Sequence, residues 1–154
     1  MYAISLKAHQ RSYAGFIPAD RQADFDERYT FSKNSEEKYK QRIAPRIDDP
    51  KWYIWVAEAD GKIVGFTLEE RAAEHLILKH GLFVDPDYHG LGIGTKLFEV
   101  SLEIARPGDT LRLSVIENNE RAKRLYEKHG FVLTNRDEKP SFGARQEVME
   151  LTVY

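Results

Sequence analysis

The 154-residue chain contains no cysteine, which excludes disulfide scaffolds, thiol nucleophiles and Cys-ligated zinc or iron–sulfur centres. Nor is there a charge excess of consequence. Lys and Arg number 23 against 25 Asp and Glu, a formal charge of -2, so no global field draws the protein to nucleic acid or to anionic lipid. No apolar run approaches the ~20 residues of a membrane span, and the opening MYAISLKAHQRSYAG lacks the uninterrupted apolar centre of a signal peptide. These absences predict a cytoplasmic protein with no membrane or nucleic-acid partner and no bound metal. No repeat, low-complexity tract or Pro/Gly/Ser linker interrupts the chain, so residues 1–154 are expected to form one domain. Core material is ample: 42% of residues are hydrophobic, with eight Tyr, eight Phe and two Trp, and a disordered default state is excluded.

The patterning predicts a mixed α/β chain. Residues 3–13 read as a helix that ends near Gly15, and a polar stretch follows. Asn34 or Ser35 can cap a short helix through Ala44, which Pro45 stops. Trp52–Ala59 and Lys62–Glu69, joined by Asp60-Gly61, form a hairpin. The first of these strands is apolar on both alternating faces, which predicts a central strand with helices above and below. Leu76–Val84 is a third strand and Gly94–Ala105 a helix with Ile93, Leu97, Val100 and Ile104 along one stripe. Leu111–Ile116, a helix from Glu120 to His129 stopped by Gly130, and strands at Phe131–Leu133 and Gln146–Val153 complete the chain. Strand, helix and strand across residues 76–116 make a crossover, so one parallel pair is expected inside an otherwise antiparallel sheet.

Chemistry concentrates in VDPDYHGLGIGTKLF, where a strand ends and Gly90, Gly92 and Gly94 lead into a helix. Glycine permits positive φ and close approach, and a helix start adds unpaired amides, so a phosphate cradle and a merely tight turn both fit. A dinucleotide fingerprint would need glycine at Thr95, and no Walker motif is present. The second constellation is NNERAKRLYEKHGF, in which Asn119, Ala122, Leu125, Tyr126, Gly130 and Phe131 stand in the pattern NxxAxxLYxxxGF. Asn119 and Tyr126 lie two helical turns apart on one side.

Together, in this order and behind a hairpin, the two segments resemble the GCN5-related N-acetyltransferase (GNAT) family over residues 52–133. The resemblance implies a central mixed, mostly antiparallel sheet with a parallel crossover pair and helices on both faces. It also implies acetyl-CoA as cosubstrate. Leu82, Phe83 and Val84 would pair through their main chain with the pantetheine arm. The family's Q/RxxGxG/A loop falls on His89, Gly90, Leu91, Gly92, Ile93 and Gly94, with Thr95 next, and would wrap the pyrophosphate. His89 departs from the family's Gln or Arg. Asn119 would bond the pantetheine and Tyr126 would sit beside the sulfur as general acid, a role suited to a phenol that stays protonated at neutral pH.

The implied activity is transfer of the acetyl group to a primary amine of a small molecule or peptide. The alternative is an acyl-CoA-binding regulatory module without chemistry, because Ser114 and Leu78 stand where family members carry a carboxylate base. His80, four before Val84 and on the face of Leu82 and Val84 in a regular strand, is the preferred base. Glu69, Glu70, Glu117 and water are the other candidates. Lys123 and Arg124 can meet the ribose phosphate or simply face solvent. The acceptor side would be lined by Tyr13, Phe16, Trp52 and residues 134–146, with Asp24, Asp26, Asp48 and Asp49 suggesting a cationic acceptor. The family's first edge strand has no counterpart before Ser12, so either the start is incomplete or a homodimer covers the edge.

Overall fold

The apolar runs from Trp52 onward assemble into one six-stranded sheet. The computed structural model describes residues 1–137 and 139–154, with the side chains of 135–137 excepted. Strands β1 (Trp52–Ala59), β2 (Lys62–Ala73), β3 (Leu76–Val84), β4 (Thr110–Ile116), β5 (Val132–Asp137) and β6 (Gln146–Thr152) lie in the order β1-β2-β3-β4-β6-β5. Among the described residues only β3 and β4 run parallel, the crossover between them being α4 (Ile93–Leu102). The hairpin turn at Asp60-Gly61 has positive φ at both residues, the backbone that a tight two-residue connection requires.

Helices cover both faces. On one face, α4 and α5 (Glu120–Lys128) enclose a core of Ile77, Phe98, Leu111, Leu113, Val115, Phe131 and Met149. On the other, α1 (Tyr2–Tyr13) and α3 (Lys33–Ile47) bring Ile4 and Ile43 onto Phe66 and Leu68. The short α2 (Gln22–Arg28) buries Phe25 against the rings of Tyr13, Tyr29 and Phe142. Each fully buried side chain of this size contributes on the order of 2 kcal/mol of transfer free energy. No described helix is long and apolar enough to cross a membrane.

Four expectations are corrected. β1 is an edge strand and not a central one, because alternating apolarity reports cover above and below, not a lateral neighbour. Residues 22–28, part of the polar stretch for which the sequence predicts no element, are the helix α2, whose single buried apolar residue gives no periodic signal. α3 starts earlier, capped by the Ser32 hydroxyl that accepts from the Ser35 amide, and it runs through Pro45 to Ile47. Two residues from the end, proline forfeits one amide bond, to the Gln41 carbonyl. Ile43 in the core and Arg46 over the Trp52 ring at 4.0 Å keep the last turn wound. Finally, the deepest apolar residue of α4 is Phe98, fully buried beside Leu97, which the stripe through Ile93, Leu97, Val100 and Ile104 omits.

Candidate active site

β3 and β4 begin as partners and end apart. Their ladder runs from Leu76 with Thr110 to Lys79 with Leu113 and stops there, while β3 continues to Val84 paired only to β2 and β4 continues to Ile116 paired only to β6. The two strands therefore open a wedge at their carboxyl ends, and along it residues 80–84 of β3 have no strand partner on the β4 side among the described residues, the Val84 carbonyl being taken by the His89 ring. Such a strand edge can take an extended ligand as an added strand. Both following helices start at this mouth, which is where open α/β sheets place ligands.

The first start is the glycine turn. Gly90 and Gly92 have φ of 82° and 77°, and Gly92 is the left-handed N-cap of α4, without a side-chain cap bond. Other residue types are strained in that conformation. The 3-10 turn at Pro86–Tyr88 uses the His89 amide, and Lys96 is the first residue of α4 whose amide is taken, by the Gly92 carbonyl. The amides from Gly90 to Thr95 have no acceptor among the described residues, and no acidic residue stands in the first turn. A row of free amides at the positive end of a helix suits a diphosphate. The His89 ring takes no part in that row: its Nε2 donates to the Val84 carbonyl at 3.1 Å, tying the turn back to β3. The residues present fit coenzyme A, with amides for the phosphates and an open strand edge for the pantetheine.

The second start is α5. Asn119 is its N-cap, Oδ1 accepting from the Ala122 amide at 3.2 Å, which leaves the two N–H donors of the side chain for a ligand. Ala122, Leu125 and Tyr126 pack against the core, and Tyr126 leans on Phe98 and Phe131 with ring centroids 5.3 and 6.1 Å away. Burial pushes the Tyr126 phenol up to about 12. Lys123 is committed elsewhere, to Glu120, Glu147 and the Glu117 carbonyl, and Glu117 itself pairs with Arg145 at 3.2 Å.

His80 does not share a face with Leu82 and Val84. Leu68 pairs with Gly81 and Glu69 with Lys79, so His80 is the extra residue of a β-bulge, and the alternation inverts there. Leu82 stays on the α4 face, whereas His80 joins Phe83 on the face of α1 and α3. The Thr67 hydroxyl holds the bulge, 2.9 Å from the Gly81 carbonyl, and an added Cβ at Gly81 would lie 2.3 Å from the Phe83 ring. His80 pairs through Nε2 with Glu70 at 2.8 Å and leans on Trp52 at 4.8 Å. It borders a cavity of about 180 Å³ whose other walls include Ser5, His9, Tyr39, Arg42 and Arg46. Tyr13 and Phe16, expected on the acceptor side, do not line it. Of the 134–146 segment, Glu138 and the side chains of 135–137 lie outside the described residues.

Beneath α4, Glu69 is fully buried and accepts from Lys79 at 2.8 Å and from Thr67 at 2.6 Å. Lys79 also reaches the Ser101 hydroxyl. Burial raises the Glu69 pKa and lowers that of Lys79, and their mutual attraction opposes both shifts. This pair stands where the β3–β4 ladder ends and braces the opening of the wedge. The sequence signals missed were Lys79, whose charge lies inside an apolar strand, and the helical spacing of Tyr39, Arg42 and Arg46 on α3, truncated by placing a stop at Pro45.

Residues 50–133 match the family model described as acetyltransferase (GNAT) domain. The peptidyl-lysine N-acetyltransferase YjaB of Salmonella typhimurium is 36% identical over 116 residues, 73% of this chain and 74% of that protein. An uncharacterized N-acetyltransferase of Mycobacterium tuberculosis is 36% identical over 92 residues, covering 58% of this chain and 59% of the relative, so the chain spans less than two thirds of that relative's length. Among solved structures, the PaiA N-acetyltransferase of Thermoplasma acidophilum in complex with coenzyme A superposes with a TM-score of 0.69 at 21% identity, over 99% of this chain and 90% of that one.

Proposed function

Because the chain belongs to the GNAT acetyltransferase family, we propose that it transfers the acetyl group of acetyl-CoA directly to a primary amine of a small molecule or peptide. The single observation that carries this reading is the wedge between β3 and β4, flanked by the amide row of Gly90–Thr95 and the capped start of α5. Leu82, Phe83 and Val84 offer main-chain groups to the pantetheine. Gly90, Leu91, Gly92, Ile93, Gly94 and Thr95 offer amides to the diphosphate, with the His89 side chain acting on the turn instead of on the ligand. Asn119 supplies side-chain N–H donors. When bound, acetyl-CoA supplies an activated acetyl thioester, and the protein's own groups handle the protons.

Two proton roles are assigned. Tyr126, with its phenol at about 12, is fully protonated at neutral pH. The leaving thiolate has a parent thiol of pKa ~8.5, so complete transfer from the phenol is uphill by roughly 5 kcal/mol. Tyr126 therefore acts as hydrogen-bond donor to the thiolate, and its phenolate never accumulates. The base is His80, oriented by Glu70 at 2.8 Å and about a third exposed, with 34% of its side chain open to solvent, so that a proton taken from the amine can leave to water. His9 borders the same cavity, but burial drives its pKa down to about 4, too weak for that task. Coenzyme A release measured against an amine library tests the reading. Turnover that depends on the amine supports it, and tight coenzyme binding without turnover for any amine converts the protein into a binding module.

A further inference from the structure

We propose that the cavity between α1, α3 and β3 takes an anionic oxygen group, a carboxylate or a phosphate, carried by the amine acceptor. This names the acceptor class within the acetyltransferase reading and rests on it. The cavity holds about 180 Å³, room for a few waters or for one small acidic headgroup.

Its charge is one-sided. Arg42 and Arg46 stand one turn apart on α3 and both face it, and among the described residues neither has an ion pair. Arg42 lies over the Tyr39 ring at 5.4 Å and Arg46 over Trp52 at 4.0 Å. Those stacks fix the guanidinium positions without neutralising them. The acid facing Arg46 from β2 is Glu70, already engaged by His80 at 2.8 Å. Arg28 adds a third cation on the His9 side. His9 is held neutral by burial, its Nδ1 donating to the Ser5 carbonyl at 2.7 Å, and adds no charge of its own.

A second, independent observation points the same way. The Tyr39 hydroxyl is buried and has no hydrogen-bond partner among the described residues, a condition that is costly unless a ligand or water serves it. Arg42 and Arg46, both on the cavity wall, are donors of the kind that recognises oxyanions, which guanidinium binds in bidentate fashion. By contrast, the acidic residues that would favour a purely cationic acceptor are spent elsewhere. Asp24 pairs with Arg21 at 3.0 Å, Asp26 accepts from Gln22 and Asp49 caps the Lys51 amide. None of them, nor Asp48, lines the cavity.

The cavity floor joins this site to the chemistry. Phe83 and His80 belong to β3, the strand whose opposite edge opens into the wedge. An acid held at Arg42 and Arg46 leaves the other end of the acceptor to reach His80 at the bulge.

The test uses the product side, without cofactor. N-acetyl-amino acids are titrated calorimetrically against their carboxamides, and N-acetyl-O-phosphoethanolamine against N-acetylethanolamine, with coenzyme A titrated separately as a check of the wedge. One acid of the two kinds should bind about ten-fold or more tightly than its neutral partner, and which kind does so identifies the headgroup. In Arg42→Gln/Arg46→Gln that preference should shrink to about two-fold or less, and Tyr39→Phe should lower it by several-fold. Wild-type protein that binds coenzyme A yet shows no acid preference in either series overturns the proposal, as does a preference that survives the double substitution. Acid preference without coenzyme A binding would retain the cavity assignment and sink the acetyltransferase reading.

Discussion

Tyr126 carries the sharpest consequence at the scale of single residues. Its ring fills the space beside Phe98 and Phe131, so Tyr126→Phe preserves packing and removes one proton donor. Coenzyme A affinity is expected to change less than about two-fold while kcat falls about 100-fold or more. With the phenol at about 12, the kcat profile expected on the proposed activity should show no falling limb from this group below pH 10, which stopped-flow assays across pH would check. The Glu69–Lys79 pair gives a second residue-scale expectation. Both side chains are almost fully buried, 0% and 5% exposed, so Lys79→Met strands a carboxylate in the core and should cost about 3 kcal/mol or more in urea unfolding. Pairing that change with Glu69→Gln should recover part of the loss, since no charge is then left alone. A full additive loss in the double variant would show that the two side chains do not act as a pair.

Among the elements, the glycine turn was legible because its chemistry is local: glycines spaced by single residues directly before a helical pattern specify positive φ and free amides without any tertiary knowledge. The structure puts Gly90 and Gly92 in that conformation with open space around each, no atom lying within 4 Å of an added Cβ. Gly92→Ala therefore meets only backbone strain, expected at about 1–2 kcal/mol by thermal unfolding, and coenzyme A should bind roughly ten-fold more weakly as the N-cap shifts. The bulge at His80 was illegible, because nothing in LILKHGLFV marks which residue is extra. The register is set by β2, where Thr67 holds the Gly81 carbonyl and Lys79 is drawn under α4 to Glu69. A strand read as regular thus sent His80 to the wrong face. Proline misled in the same way at α3, since a helix-breaking rule for interiors was applied to a last turn that tertiary contacts hold.

At the scale of the whole molecule, the fold's class and its parallel crossover were readable from periodicity, whereas the acceptor cavity was not. It is assembled from α1, α3 and β3, segments separated by tens of residues, and no spacing rule links Ser5, Tyr39 and His80. The same assembly makes acid stability a global property. His9 titrates at about 4 when folded and near 6.5 when unfolded, so the unfolded chain binds its proton first. The resulting stability is present above pH 6.5 and drains away as pH falls toward 4, by up to about 3 kcal/mol. Unfolding followed at several pH values should show this slope in the parent and a flatter one in His9→Gln. All of the functional account, however, depends on the wedge between β3 and β4 receiving a coenzyme. Calorimetric titration of folded protein with coenzyme A is its most direct test: the account requires saturable binding at one site per chain that weakens in Gly92→Ala, and an absence of heat and of competition with acetyl-CoA would contradict it.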